Sequence, residues 1–323
     1  MIQFVFIFND QNSKPMPPIL ITSCSNRKSG SPDDRLTPND VPRGSLSDVS
    51  KAWIQKLKSH KNRVTVEELY SGRGAYEAKL CAKILNANHW IVSAGLGLVH
   101  SNENVPLYDL TVSGNNNSNI KNKITDINFT TEQWWHELSK RRRPKRTISS
   151  LVKSTRSIII LAIPSNYFKM LSNDLATLNN SQLRRLRIIG PVKSNIPQRF
   201  HEFLLPYDDR LDGPNSPIPG TRSDFPQRSA HHFAKFIWPN AKSHRIESHS
   251  ELVRESLRNF KYPISHKRKK MSDEEIIKII LRQWKNAEGQ SGRMIRILRD
   301  DKQIACEQNR FKSLFYIAKN QIG

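Results

Sequence analysis

The sequence predicts an α/β fold, a three-layer α/β/α sandwich on a mostly parallel sheet, followed by a small C-terminal helical domain. Three observations carry that expectation. Short β-branched apolar runs alternate with stretches of helical periodicity, as right-handed β-α-β crossovers require. Nearly every such run ends in polar residues or glycine. Beyond Lys270 the strand-like runs stop and three amphipathic segments follow.

The elements follow in chain order. MIQFVFIF reads as a strand or an ordered tail, and PILITSC, Pro18 to Cys24, as a buried strand. Residues 25–44, rich in Ser, Pro, Asp and Gly, form a loop. DVSKAWIQKLKSH sets Trp53, Ile54 and Leu57 on one helical face; NRVTVEELY reads as a second strand closing at Tyr70. The helix AYEAKLCAKILNA leads into a third strand, HWIVSA, and then GLGLV. GNNNSNIKNK is a polar insert expected to be mobile. TTEQWWHELSKRRR starts a helix capped by Thr130 or Thr131, RSIIILAI is the clearest central strand, YFKMLSNDLATL a helix and LRRLRIIG a further strand. The proline-rich stretch from Pro191 to Gly220 reads as a surface excursion or lid, and SDFPQRSAHHFAKFIW as a helix. These spans place an α/β domain at residues 1–260, a basic linker at 261–271 and a helical domain at 272–323. The last opens on the S-x-x-E capping box of Ser272 and Glu275, and its three short helices are those expected of a helix-turn-helix or winged-helix module.

Composition narrows the function. Over 323 residues, 52 Lys+Arg against 29 Asp+Glu give a net charge of +23. Such a field concentrates polyanions, and nucleic acid is the expected partner. The basic charge is spread over several segments, with no single amphipathic basic helix or lipidation signal, so a membrane surface is not expected. No apolar run approaches the roughly 20 residues of a membrane span. Cys24, Cys81 and Cys306 are scattered and form no C-x-x-C pair, which predicts neither disulfide nor structural zinc. With no secretory signal in MIQFVFIF, the expected compartment is the cytoplasm.

In parallel sheets ligands bind beyond the carboxyl ends of the strands, so the candidate site gathers the residues found there. Ser25, Asn26, Arg27 and Lys28 follow the first strand and suit a base edge or an anion. Tyr70 and Arg73 flank the glycines of YSGRG, where backbone approaches closely and a guanidinium clamps a phosphate or carbonyl. Ser165, Asn166 and Tyr167 follow RSIIILAI. In PLYDLTV, Asp109 supplies a carboxylate able to orient water or stabilise a sugar cation, and Tyr108 an aromatic able to stack on a base. Arg141, Arg142 and Arg143 in KRRRPKR form a phosphate-contacting stripe with Arg184, Arg185 and Arg187. Arg222 and Arg228, followed by His231 and His232, line the same mouth. Adjacent histidines on a helix cannot both face one ion, and GLGLV lacks a phosphate-loop lysine, so neither metal nor cofactor is expected.

The segments ILITSCSNRK, ELYSGRGAYEAK, HWIVSAGLGLV and PLYDLTV, over residues 18–112, resemble a family of small α/β domains found near mobile and phage-defence loci. Related domains are similar to the uracil-DNA-glycosylase fold and occur in enzymes acting on modified guanine in tRNA and in anti-phage DNA glycosylases that remove modified cytosine. IPSNY resembles the H-P-S-P loop of uracil-DNA glycosylases, with Ile163 where that loop has histidine; the G-Q-D-P-Y-H motif has no literal counterpart. The resemblance implies a DNA N-glycosylase that flips a modified base and leaves an abasic site. Asp109 and Asn26 would be catalytic, Ser25, Tyr70, Arg73 and Tyr108 would hold the base, and the remaining residues would grip DNA. The alternatives are a tRNA transglycosylase or nucleosidase and a non-enzymatic DNA-binding regulator.

Overall fold

A computed structural model describes residues 16–114, 116–142, 145–263 and 268–322. The MIQFVFIF segment lies outside the described residues. The chain divides into two compact units between Tyr262 and Pro263.

The strands of the first unit are β1 (Ile19–Ser23), β2 (Arg63–Thr65), β3 (Asn88–Ser93), β4 (Gly97–His100), β5 (Asn104–Pro106), β6 (Ile159–Ala162) and β7 (Leu186–Ile189). Five of them form one sheet in the order β4-β3-β1-β6-β7. β1 runs parallel to both β3 and β6, and β6 parallel to β7, while β4 returns antiparallel to β3 through the GLGLV turn.

Alternation along the strands fills both faces, as expected for strands without a solvent side. Ile19, Ile21, Ile159, Leu161 and Ile188 pack with Trp135, Ile148, Phe168 and Phe200. Leu20, Ile160, Ala162 and Ile189 pack with Cys81, Leu85, Phe233 and Val253, from the helices Arg73–Leu85, Phe225–His232 with its continuation, and Ile246–Leu257. A third cluster joins Trp53, Val66, Ile91, Val99, Tyr108 and Trp134. The unit is a mostly parallel sheet flanked by helices, an α/β sandwich.

Four local expectations are corrected. NRVTVEELY is a strand only to Thr65. The Thr65 hydroxyl then accepts from the Glu68 amide at 3.2 Å while Glu68 Oε2 accepts from the Thr65 amide at 3.0 Å, and this capping box starts the helical turn Val66–Leu69. β2 accordingly pairs antiparallel with β5, outside the main sheet. The span YFKMLSNDLATL breaks into Ser165–Met170 and Ser172–Leu175. In the asparagine-rich insert, Ile120 is buried and the Thr111 and Ile120 amides bond Ser118 and Thr111 carbonyls, which anchors the segment. Thr130 is the N-cap of Thr131–Arg141.

The second unit has its own core of Ile276, Ile280, Met294, Leu298, Phe311 and Leu314. Helices Asp273–Arg282, Ser291–Arg296 and Gln308–Ile322 surround it, and β8 (Lys269–Lys270) pairs parallel with β9 (Ile304–Ala305). Ser272 and Glu275 form the expected capping box. Among the described residues, no helix is long and apolar enough to cross a membrane.

Candidate functional site

A cleft of about 570 Å³ opens beyond the carboxyl ends of β1 and β6. The loop after β1 contributes Cys24, Ser25, Asn26 and Arg27; the turn into the helix Arg73–Leu85 contributes Gly72, Arg73, Gly74 and Ala75; Pro164, Asn166 and Tyr167 follow β6. Thr221, Ser223, Asp224 and Gln227 close the opposite wall.

The loop after β1 is held in place by its own polar atoms. Ser25 Oγ donates to the Ser71 carbonyl at 2.8 Å and accepts from the Arg27 amide at 3.0 Å. The Ser71 amide donates in turn to the Arg27 carbonyl at 3.0 Å. Gly72 has φ of +87°, which strains any residue with a side chain, and Arg27 Cδ, 3.2 Å from where a β-carbon would sit, would have to give way slightly. Cys24 Sγ and the Tyr167 hydroxyl are 2.9 Å apart, and burial pushes the Tyr167 phenol well above its ordinary pKa, so it stays protonated.

Of the expected site residues, Ser25, Asn26, Arg27, Arg73, Asn166 and Tyr167 meet in this cleft. The others do not. Tyr108 is fully buried, its hydroxyl 2.7 Å from both Ser93 Oγ and the Tyr70 hydroxyl, so it offers no face to a base. Tyr70 is buried with it. Burial drives both phenols well above their ordinary pKa.

Asp109 does not line the cleft. Its Oδ2 accepts from Ser118 Oγ at 2.8 Å and its Oδ1 lies 3.6 Å from Lys28 Nζ. Lys28 is therefore also withdrawn: its side chain is almost fully covered, with Nζ 4.9 Å from the Tyr108 ring centroid. Ser165 Oγ accepts from the Val192 amide at 3.0 Å, outside the cleft lining.

The arginine stripe is corrected too. Arg141 bonds Glu137, Ser50 and Ser47, and Arg142 pairs with Glu103 and the Leu96 carbonyl. Arg187 is buried against His249, and Arg185 bonds backbone carbonyls. Arg143 lies outside the described residues. Arg222 is exposed and pairs with Asp209 at 2.9 Å, while its neighbours Thr221 and Ser223 face the cleft. Arg228 is fully buried and bonds Asp224 Oδ1 at 2.6 Å, Asp212, and the Ile218 and Thr221 carbonyls. It supports the cleft wall from behind.

Asp224 and Gln227 lie in the 222–228 loop expected at the mouth, where the sequence reading singles out only the arginines; Thr111 and Ser113, absent from that reading, also line the cleft. Asp224 is a buried carboxylate, paired with Arg228 and 3.9 Å from Arg73 Nε. Gln227 is 5% exposed; its Nε2 donates to Ser23 Oγ at 3.0 Å, and its buried Oε1 has no partner. The T-x-x-D capping box of Thr221 and Asp224 was a sequence signal for a helix start at that place. His231 bonds Glu77, and His232 bonds Tyr207 and Ser256, so both are occupied within the fold. Among the described residues no group of three or more His, Cys, Asp or Glu side chains is arranged to hold a metal.

No family model matches the chain, and no curated protein or solved structure matches it.

Proposed function

We propose that the chain is a DNA N-glycosylase of uracil-DNA-glycosylase-like architecture, which excises a modified base in anti-phage defence. The observation that carries this reading is the strand-end cleft in which Asn26, Arg27, Arg73, Asn166 and Asp224 converge, on a chain of net charge +23. Its volume suits one extruded nucleotide, and its lining is polar where a base edge and a sugar must be held. Asp224, the carboxylate in that lining, takes the role expected of Asp109 and faces positive charge developing on the sugar ring. Asn26 is exposed at the mouth, where it orients the attacking water. The C-terminal unit, with fourteen Lys+Arg and seven Asp+Glu from Pro263 onward, serves as a helix-turn-helix-like grip on DNA.

The test is incubation of the full chain with unmodified and phage-modified DNA, followed by an assay for alkali-labile strand breaks. Breaks confined to modified DNA are expected. Asn26→Ala, at an exposed position, should slow them by about a hundredfold, the lower range for loss of one preorganised hydrogen-bonding group. Intact strands on every substrate refute the reading. The engagement of Asp224 by Arg228 and Arg73 favours a second reading, a DNA-binding sensor without chemistry; base-selective binding with no strand breaks would establish it.

A further inference from the structure

We propose that the N-terminus of the helix Arg73–Leu85 is the phosphate subsite of the cleft, with the Arg73, Gly74 and Ala75 amides and the Arg27 and Arg73 guanidiniums as its donors. The inference rests on the cleft being a nucleotide site, and it specifies which end of the nucleotide lies where.

The helix begins without the usual provisions. Its N-cap is Gly72, which supplies no side-chain acceptor, and no acidic residue occupies the first turn. Among the described residues, no acceptor meets the amides of Arg73, Gly74 or Ala75. The first helical residue is a cation, the wrong sign for the positive end of a helix dipole. A thirteen-residue helix left so, with its first turn lining a cleft, has free N–H groups and positive charge converging on one point. Gly72 and Gly74 are half-buried, the first under Arg27 and the second against Asp224 and Gln227. Arg27 packs on Gly72 and has no carboxylate partner among the described residues. Asp224 is the opposing charge; Arg228 behind it is shared with Asp212, which leaves one net negative charge against the two guanidiniums of Arg27 and Arg73.

A second feature points to a ligand at the same place. Gln227 is nine-tenths buried, and its unpartnered Oε1 lies 3.7 Å from where a β-carbon on Gly74 would project. An unsatisfied buried amide atom is a standing cost to the fold. The Ser23 hydroxyl that holds the other end of the amide donates or accepts equally well. When an anion arrives, the amide turns over, Ser23 donates to Oε1, and Nε2 faces the phosphate. The orphaned atom is then satisfied.

The experiment is calorimetric titration of the full chain with deoxycytidine 5′-monophosphate and with deoxycytidine. The nucleotide is expected to bind at least about tenfold tighter than the nucleoside, the value of one charge-assisted contact. Arg73→Gln, at a side chain 53% exposed, should cut that preference severalfold, and Arg27→Gln likewise. Equal affinities for nucleotide and nucleoside in the wild type overturn the subsite while leaving the cleft a nucleoside site. A preference undiminished in both variants also overturns it. Failure of both ligands to bind overturns the nucleotide reading of the cleft, and the subsite with it.

Discussion

Replacing Arg228 separates a structural arginine from a DNA-contacting one. In Arg228→Met the buried guanidinium disappears, while Asp224 and Asp212, whose side chains are 8% and 13% exposed, stay next to each other without a counter-ion. The Ile218 and Thr221 carbonyls lose a donor as well. Breaking a buried ion pair from one side costs about 3–5 kcal/mol. At roughly 2–4 °C per kcal/mol for a unit of this size, the melting temperature falls by about 6–20 °C. Urea unfolding followed by tryptophan fluorescence measures the loss. The triple variant Arg228→Met, Asp224→Asn, Asp212→Asn should recover more than half of it, since removing a whole buried network is far cheaper than removing one member. The opposite result is equally specific. If Arg228→Met loses less than about 1 kcal/mol and instead flattens the salt dependence of DNA affinity by about 0.9, the loss of one phosphate contact, the arginine grips DNA and the reasoning fails.

Two further outcomes follow from packing and titration. A β-carbon at Gly95 would fall inside the Tyr108 ring surface, 2.7 Å from Cδ2, and that ring is locked by its hydroxyl bonds to Ser93 and Tyr70; Gly95→Ala should cost about 1–3 kcal/mol in denaturant titration, and a neutral result would mean the ring moves freely. His89 and His249 are held down to about 3 and His232 to about 4, His89 first by burial, His249 by burial and then Arg187, His232 by burial and then His231. The unfolded chain takes up these protons from about pH 6.5 downward while the folded chain refuses them. Stability should therefore be flat above that pH and fall as the medium is acidified towards pH 3. An unchanged urea midpoint between about pH 7.5 and about pH 5 would contradict this.

What the sequence disclosed, and what it withheld, has a physical pattern. ILITS, HWIVS, IIILA and LRII were readable because a parallel strand covered on both faces needs an almost unbroken apolar run. RVTVEEL misled because its β-branched residues favour a strand while Thr65 and Glu68 fit a cap, and the cap won after three residues. The strand-end rule located Ser25, Asn26, Arg27, Asn166 and Tyr167, since sheet topology sends those loops to one edge, whereas Arg73 reaches the cleft from the start of a helix and not from the strand end expected. It could not tell which side chains within a loop turn inward. Tyr108 finds its partners in Ser93 and Tyr70, and Arg228 in Asp212 and Asp224, through tertiary contacts that no local pattern encodes. The adjacent Arg222 and Ser223 divide between solvent and cleft by backbone direction only.

Asp109 shows how a residue can matter to a site without lining it. Its carboxylate meets Lys28, whose side chain is 3% exposed and whose backbone bridges to Tyr70, while the next residue along, Ser29, donates its amide to the Leu69 carbonyl at 2.9 Å. The far end of the loop after β1 is thus fastened to the segment that precedes Gly72, and its near end by Ser25 to Ser71. Between these two anchors stand Asn26 and Arg27, both exposed, with the covered Lys28 next in the chain. The PLYDLTV motif therefore serves the cleft as a brace. Its aspartate holds Lys28 at the base of the loop that carries Asn26 and Arg27, while Asp224 lines the cleft itself.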